Sequence, residues 1–142
     1  LRRIADENGL LLILDEIFTG FGRTGRMFAM EQAGIVPDVV TLSKALTGGT
    51  MPLSAAVARR HVFGAFWSED AGAALMHGPT YMAHALACAA ANASLDLFED
   101  GGWKADVTRV SAGLEAGLRP CRAMPGVVDV RVLGAIGVVE LR

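Results

Sequence analysis

The sequence predicts an α/β fold, and three observations carry that prediction. Leu10 to Leu14 and Val39 to Leu42 are uninterrupted apolar runs, the form taken by strands covered on both faces of a parallel sheet. Segments with helical composition alternate with these runs, as strand–helix units require. The two runs end at Asp15-Glu16 and Ser43-Lys44, so polar side chains collect at strand carboxyl ends, where open α/β sheets bind ligands.

Each element has its own local cause. Asn8-Gly9 marks the end of a helix before the first strand. A loop containing Gly20, Gly22 and Gly25 follows that strand and leads to a short helical stretch from Met27 to Ala33. Leu53 to Ala58 reads as a third strand, and the Ala-rich segment Met82 to Phe98, free of Gly and Pro, as a helix ended by Asp100-Gly101-Gly102. Trp103, Val107, Val110, Leu114 and Leu118 recur at helical spacing and form one apolar stripe, which Pro120 terminates. Val127 to Val132 and Ala135 to Leu141 read as two further strands. The expected division is therefore residues 1–101 in a first domain, with 102–142 forming a connecting helix and the start of a smaller one.

Composition narrows the function. With 52% hydrophobic and 20% charged residues the 142-residue chain is globular and not disordered. A net charge of -2, with 13 Lys and Arg residues scattered along the chain, leaves no basic patch, so neither nucleic acid nor an anionic membrane is expected as a partner. Ala71 to Leu95 lacks charged side chains but contains His77, Gly78-Pro79, His84 and Asn92, which suits a loop and a buried helix better than a membrane span. Cys88 and Cys121 have no partner at metal-ligand spacing, and the three histidines form no metal grouping; a reduced, cytoplasmic setting is expected. The chain opens as though partway along a helix and closes inside a strand, so both ends are expected to lie within a longer protein.

Lys44 follows a buried strand directly. At a sheet's carboxyl edge, partial desolvation can turn a lysine into a nucleophilic amine able to form a Schiff base, although a strand-end lysine can also simply point to solvent. Asp15 occupies the matching end of another strand with Glu16 beside it; such a pair can ligate metal, cap a helix or face a buried cation. Gly20-Phe21-Gly22-Arg23-Thr24-Gly25 matches a dinucleotide-binding spacing, but the acidic residue needed about 20 positions on is absent, so the glycines are read as permitting a tight loop. In His77-Gly78-Pro79-Thr80, the Thr80 hydroxyl and nearby amides suit a phosphate, or Thr80 caps the following helix.

The ordered set D-E, G-F-G-R-T-G, P-D, S-K-A and G-G, within LLILDEIFTGFGRTGRMFAMEQAGIVPDVVTLSKALTGGTMPLSAAVA, resembles the cofactor-binding core of class III aminotransferases. That resemblance implies part of the large domain of a type I pyridoxal-phosphate aminotransferase fold, followed by the start of the smaller C-terminal domain. It further implies pyridoxal 5'-phosphate as cofactor, Lys44 as its covalent anchor and acid/base, and Asp15 as partner of the ring nitrogen. Pro79 and Thr80 match phosphate-binding positions supplied by the neighbouring subunit of a homodimer with a shared active site, and Gly78 matches a substrate contact. LSKALTGGTMPLSA, MHGPTYM and VLGAIGVVE resemble the branch acting on S-adenosylmethionine and 8-amino-7-oxononanoate in biotin synthesis. Other readings are a class III enzyme for ornithine, GABA or a similar amine, and a non-catalytic domain that keeps the fold. Ala83-His84-Ala85 departs from the family's common Gly-Asn-Pro. The family's upstream phosphate loop, ring-stacking aromatic and carboxylate-binding arginine lie outside this chain, so these residues alone are not expected to be active.

Overall fold

The first two apolar runs pair in parallel, as their composition requires. In the computed structural model, which describes residues 1–142, β1 (Ile13–Asp15) lies beside β2 (Val39–Leu42) with Ile13 opposite Val39 and Asp15 opposite Thr41. The third strand, β3 (Ala55–Ala58), pairs antiparallel on the other side of β2, which gives the order β1-β2-β3. Central β2 turns Val40 and Leu42 into a core shared with Phe21, Leu46 and Ala91. Helix α1 (Arg2–Glu7) precedes the sheet, and α2 (Arg60–Gly64) follows it. No helix is long and apolar enough to cross a membrane.

Three elements differ from expectation. β1 is shorter than the apolar run and is not covered on both faces: Leu10 and Leu11 are more than half exposed, and so is Ile13. Among residues 1–142 it pairs on one side only, with β2. The helical stretch expected from Met27 to Ala33 is a single 3-10 turn, Ala29–Gln32. The long Ala-rich helix α3 runs Ala85–Glu99, three residues later than its composition suggests, because Ala83 takes a left-handed conformation with φ of +53°. That geometry interrupts a right-handed helix and delays its start.

Helix α4 (Trp103–Leu118) carries the predicted stripe onto a hairpin of β4 (Val127–Leu133) and β5 (Ile136–Leu141). A Cβ on Gly137 would stand 2.6 Å from the Leu118 methyl, so a larger residue there would make that side chain move aside. The stripe is half-buried, not a sealed core face, and Val110 is 39% exposed. The hairpin tip reaches the glycine loop, where the Ala135 amide donates to the Arg23 carbonyl at 2.8 Å. Phe28, Phe21, Phe98 and Trp103 form a chain of ring contacts with centroids 5.6, 6.0 and 5.8 Å apart. Each such pair contributes about 0.5–1.5 kcal/mol beyond its buried area, which joins the loop to the adjoining ends of α3 and α4.

Candidate active site

Parallel pairing sets the carboxyl ends of β1 and β2 side by side, and the Glu16 amide continues the ladder to the Thr41 carbonyl at 3.0 Å. Asp15 and Lys44 therefore occupy neighbouring positions on one sheet edge. Lys44 has a left-handed backbone with φ of +48°. For a side chain with a Cβ this costs roughly 1–2 kcal/mol, so the surrounding contacts must impose it. They are present: the Leu46 amide bonds the Ser43 carbonyl at 3.0 Å, and the Gly49 amide bonds the Lys44 carbonyl at 3.2 Å. Ser43 and Thr47 hydroxyls donate to the Leu53 and Met51 carbonyls at 2.7 and 2.6 Å.

The Lys44 side chain is exposed and pairs with no carboxylate; its ammonium lies 5.1 Å from the centre of the Phe18 ring. The Arg23 guanidinium lies over the same ring at 4.9 Å. Phe18 was not singled out in the sequence. Its signal is an aromatic residue three positions beyond Asp15, in the loop at the same edge.

Asp15 and Glu16 separate sharply. Asp15 is exposed, and its Oδ1 accepts the Ile17 amide at 2.9 Å, while Oδ2 takes no hydrogen bond from the chain. Glu16 is only 2% exposed. Its carboxylate accepts from the Thr19 hydroxyl at 2.5 Å and from the Ala29 and Met30 amides at 3.0 and 2.7 Å. Of the roles open to the acidic pair, Glu16 fills the capping one, satisfying amides at the start of a 3-10 turn. Asp15 keeps one oxygen without a hydrogen bond.

The glycine loop offers no open cradle for a phosphate. A Cβ on Gly22, where φ is +84°, would stand 2.8 Å from the Trp103 ring, and a Cβ on Gly134 would stand 2.5 Å from the Thr24 carbonyl carbon. The loop is filled by Trp103 on one side and the hairpin tip on another, which agrees with the tight-loop reading.

Gly78, Pro79 and Thr80 lie in an exposed loop. The Met82 amide bonds the Pro79 carbonyl at 2.9 Å to form its turn. Pro79 shares a shallow cleft with Ser43, Leu53, Ala56, Leu75 and Met82; Lys44, Asp15, Gly78 and Thr80 do not line it. Within one chain, then, Asp15 and Lys44 stand at the carboxyl ends of adjacent strands, and Pro79 shares a cleft with Ser43, the residue before Lys44. Thr80 is not the cap of α3. That cap is His84, whose Nδ1 accepts the Ala87 amide at 3.3 Å. His61 sits at the opposite end of β2, 3.1 Å from Asp38.

An unpaired amine and a carboxylate with a free oxygen, on adjacent strand ends, suit a group that needs a lysine bond at one side and a ring-nitrogen partner at the other. Comparison with known proteins gives the family. The family model for class III aminotransferases matches residues 1–142. An adenosylmethionine-8-amino-7-oxononanoate aminotransferase from Corynebacterium glutamicum is 52% identical over 130 residues, covering 92% of this chain and 31% of that protein. The solved structure of an enzyme of that name from Methanocaldococcus jannaschii superposes with a TM-score of 0.89 at 35% identity, over 98% of this chain and 33% of that one. An ornithine aminotransferase from Toxoplasma gondii, described with partial occupancy of PLP at its active site, gives 0.84 at 31% identity, over 99% and 32%. The chain thus spans about a third of the length of its relatives and represents part of their larger fold. By motif, fold and family match, it belongs to the class III aminotransferases.

Proposed function

We propose that this chain is the cofactor-bearing part of an enzyme that uses pyridoxal 5'-phosphate to move an amino group from S-adenosylmethionine to 8-amino-7-oxononanoate. The product is 7,8-diaminononanoate, in biotin synthesis. The observation that carries the reading is Lys44, an unpaired amine held by a left-handed backbone at the carboxyl end of β2, with Asp15 at the matching end of the adjacent β1. The choice of substrates is supported by the similarity to the Corynebacterium glutamicum protein and by the sequence runs around Lys44 and Thr80.

When bound, pyridoxal 5'-phosphate supplies a protonated ring that withdraws electrons from the substrate carbon. Lys44 would anchor that group through its amine and afterwards take and return the proton at the substrate carbon. The charge of Asp15 would keep the ring nitrogen protonated, with Oδ2 as the available oxygen. Thr80 and the amides around Pro79 would hold the phosphate, and Gly78 would leave room for substrate. As the resemblance to class III aminotransferases implies, we assign that loop to the site of the neighbouring subunit in a homodimer. Residues 1–101 then belong to the large domain and 102–142 begin the smaller one. Free Cys88 and Cys121 suit a cytoplasmic enzyme.

The test uses the intact enzyme. It is expected to form 7,8-diaminononanoate from the two named substrates, detected by mass spectrometry, and Lys44→Ala is expected to abolish both the product and the visible absorption of lysine-bound cofactor. Turnover confined to ornithine, GABA or another omega-amine would overturn the substrate assignment; a retained absorption band in Lys44→Ala would overturn the role of Lys44.

A further inference from the structure

The turn bearing Lys44 packs on α3 through Leu46 and Ala91 and takes one side-chain hydrogen bond from that helix. Ser94 is 8% exposed, and its hydroxyl donates to the Ala45 carbonyl at 3.0 Å, across 49 positions of sequence. A serine inside a helix ordinarily turns its hydroxyl to solvent or back to the carbonyl four residues earlier, and it is a poorer helix former than alanine. In the Ala-rich α3 this residue instead spends its donor on the peptide just after Lys44. Ala87 and Ala91, buried on the same helix, have side chains small enough to let it approach that turn. The Ser43 and Thr47 hydroxyls tie the turn only to the chain that follows it, at Leu53 and Met51. Ser94 alone of these three hydroxyls links it to a distant element.

We propose that Ser94 is a positioning residue for Lys44: its hydrogen bond to Ala45 holds the left-handed backbone that presents the amine at the sheet edge. The inference rests on Lys44 being the anchor for an aldehyde cofactor. In that condensation the amine nitrogen attacks the aldehyde carbon, one carbon–nitrogen double bond forms, and the aldehyde oxygen leaves as water with the two amine protons. Ser94 touches none of these atoms. It keeps the turn from relaxing toward ordinary right-handed backbone, which would carry the amine away from its place.

The experiment uses intact enzyme stripped of cofactor. Rapid mixing with pyridoxal 5'-phosphate reads the rate at which the visible band appears, and 4'-deoxypyridoxine 5'-phosphate, which lacks the aldehyde, reads the affinity of the site without covalent attachment. Ser94→Ala is expected to slow the band by about fivefold, the factor matching one typical hydrogen bond, while affinity for the deoxy compound stays within about twofold. Ser94→Thr, which keeps the hydroxyl, is expected to restore the rate. An unchanged rate in Ser94→Ala, an equal loss of affinity for the deoxy compound, or no restoration by Thr overturns the inference. Lys44→Ala measured alongside separates the two claims: if it loses the band while Ser94→Ala behaves as the parent, only the role of Ser94 fails.

Discussion

Asp15 and Glu16 are adjacent carboxylates with the same charge, yet the backbone sends them to different surroundings. Asp15 keeps one oxygen free at the sheet edge, whereas Glu16 is buried under three hydrogen bonds. Their substitutions should therefore fail in different measurements. Asp15→Asn preserves size and removes charge, so the intact enzyme should fold normally and transfer amino groups at least about a hundredfold more slowly, equivalent to roughly 2.7 kcal/mol of barrier. Glu16→Gln leaves one carbonyl oxygen where two carboxylate oxygens accepted bonds. It should cost about 1.5–3 kcal/mol of stability, the range for hydrogen bonds to a charged group, with little change in rate per folded molecule. Denaturant unfolding and single-turnover kinetics on both variants check this, and equal rates in Asp15→Asn and the parent would remove Asp15 from the chemistry. The identity of the two acids was legible in the sequence. Which of them was the cap was not, because the Ala29 and Met30 amides that Glu16 satisfies come from a turn beyond the glycine loop.

Helix α3 shows how an element can keep its place with unfamiliar residues at its start. Ala83 holds a left-handed φ of +53°, a conformation glycine adopts without penalty, and His84 supplies the capping acceptor where the family commonly has asparagine. The departure at Ala83-His84-Ala85 therefore preserves the turn at some cost in energy. Ala83→Gly should stabilise the intact enzyme, but by no more than about 1 kcal/mol, since the relief of strain is partly offset by the greater freedom glycine gives the unfolded chain. A shift of the denaturation midpoint to higher denaturant is the expected result; a lower midpoint would mean that the methyl of Ala83 contributes packing that outweighs its strain. The helix itself was readable from its alanines. Its first residue was decided by a backbone angle that composition does not encode.

At the scale of the whole molecule, the end of the sheet opposite the site is tied together by Asp38. Its carboxylate accepts from the Leu12 amide and the Arg2 guanidinium, each at 2.7 Å, and lies 3.1 Å from His61, so it joins α1 and α2 to the residues that lead into β1 and β2. The Leu12 hydrogen bond first, and the Arg2 hydrogen bond next, lower its pKa from 3.8 to about 2. The folded form thus binds this proton less readily than the unfolded chain. Its contribution to stability is complete above 3.8 and disappears as the pH falls through about 2. Asp38→Asn should be less stable than the parent at neutral pH, and the difference should shrink across that acid window. Unfolding curves measured from neutral to acid pH check this, and a difference that stays constant would show that the charge of Asp38 is not what holds the group together. Elsewhere the surface carries apolar side chains in unusual number, among them Leu10, Leu11, Trp67, Met76, Tyr81 and Leu86. Exposed apolar groups in such quantity mark surfaces that other protein covers, which is consistent with a chain spanning about a third of its relatives.

The sequence by itself determined the elements and the chemistry they can carry. Apolar runs ending at Asp15-Glu16 and Ser43-Lys44 specify strands with polar ends, because apolarity along a strand and polarity at its end are properties of residue type and spacing. The stripe from Trp103 to Leu118 specifies α4 in the same local way. Only the tertiary structure decided that Phe18 lies beneath both Lys44 and Arg23, and that Ser94 donates to the Lys44 turn. The physical reason is range. Periodicity and capping act over a few residues and leave a pattern in the chain, whereas a hydrogen bond across 49 positions or a glycine pressed against a distant tryptophan leaves none until the elements pack.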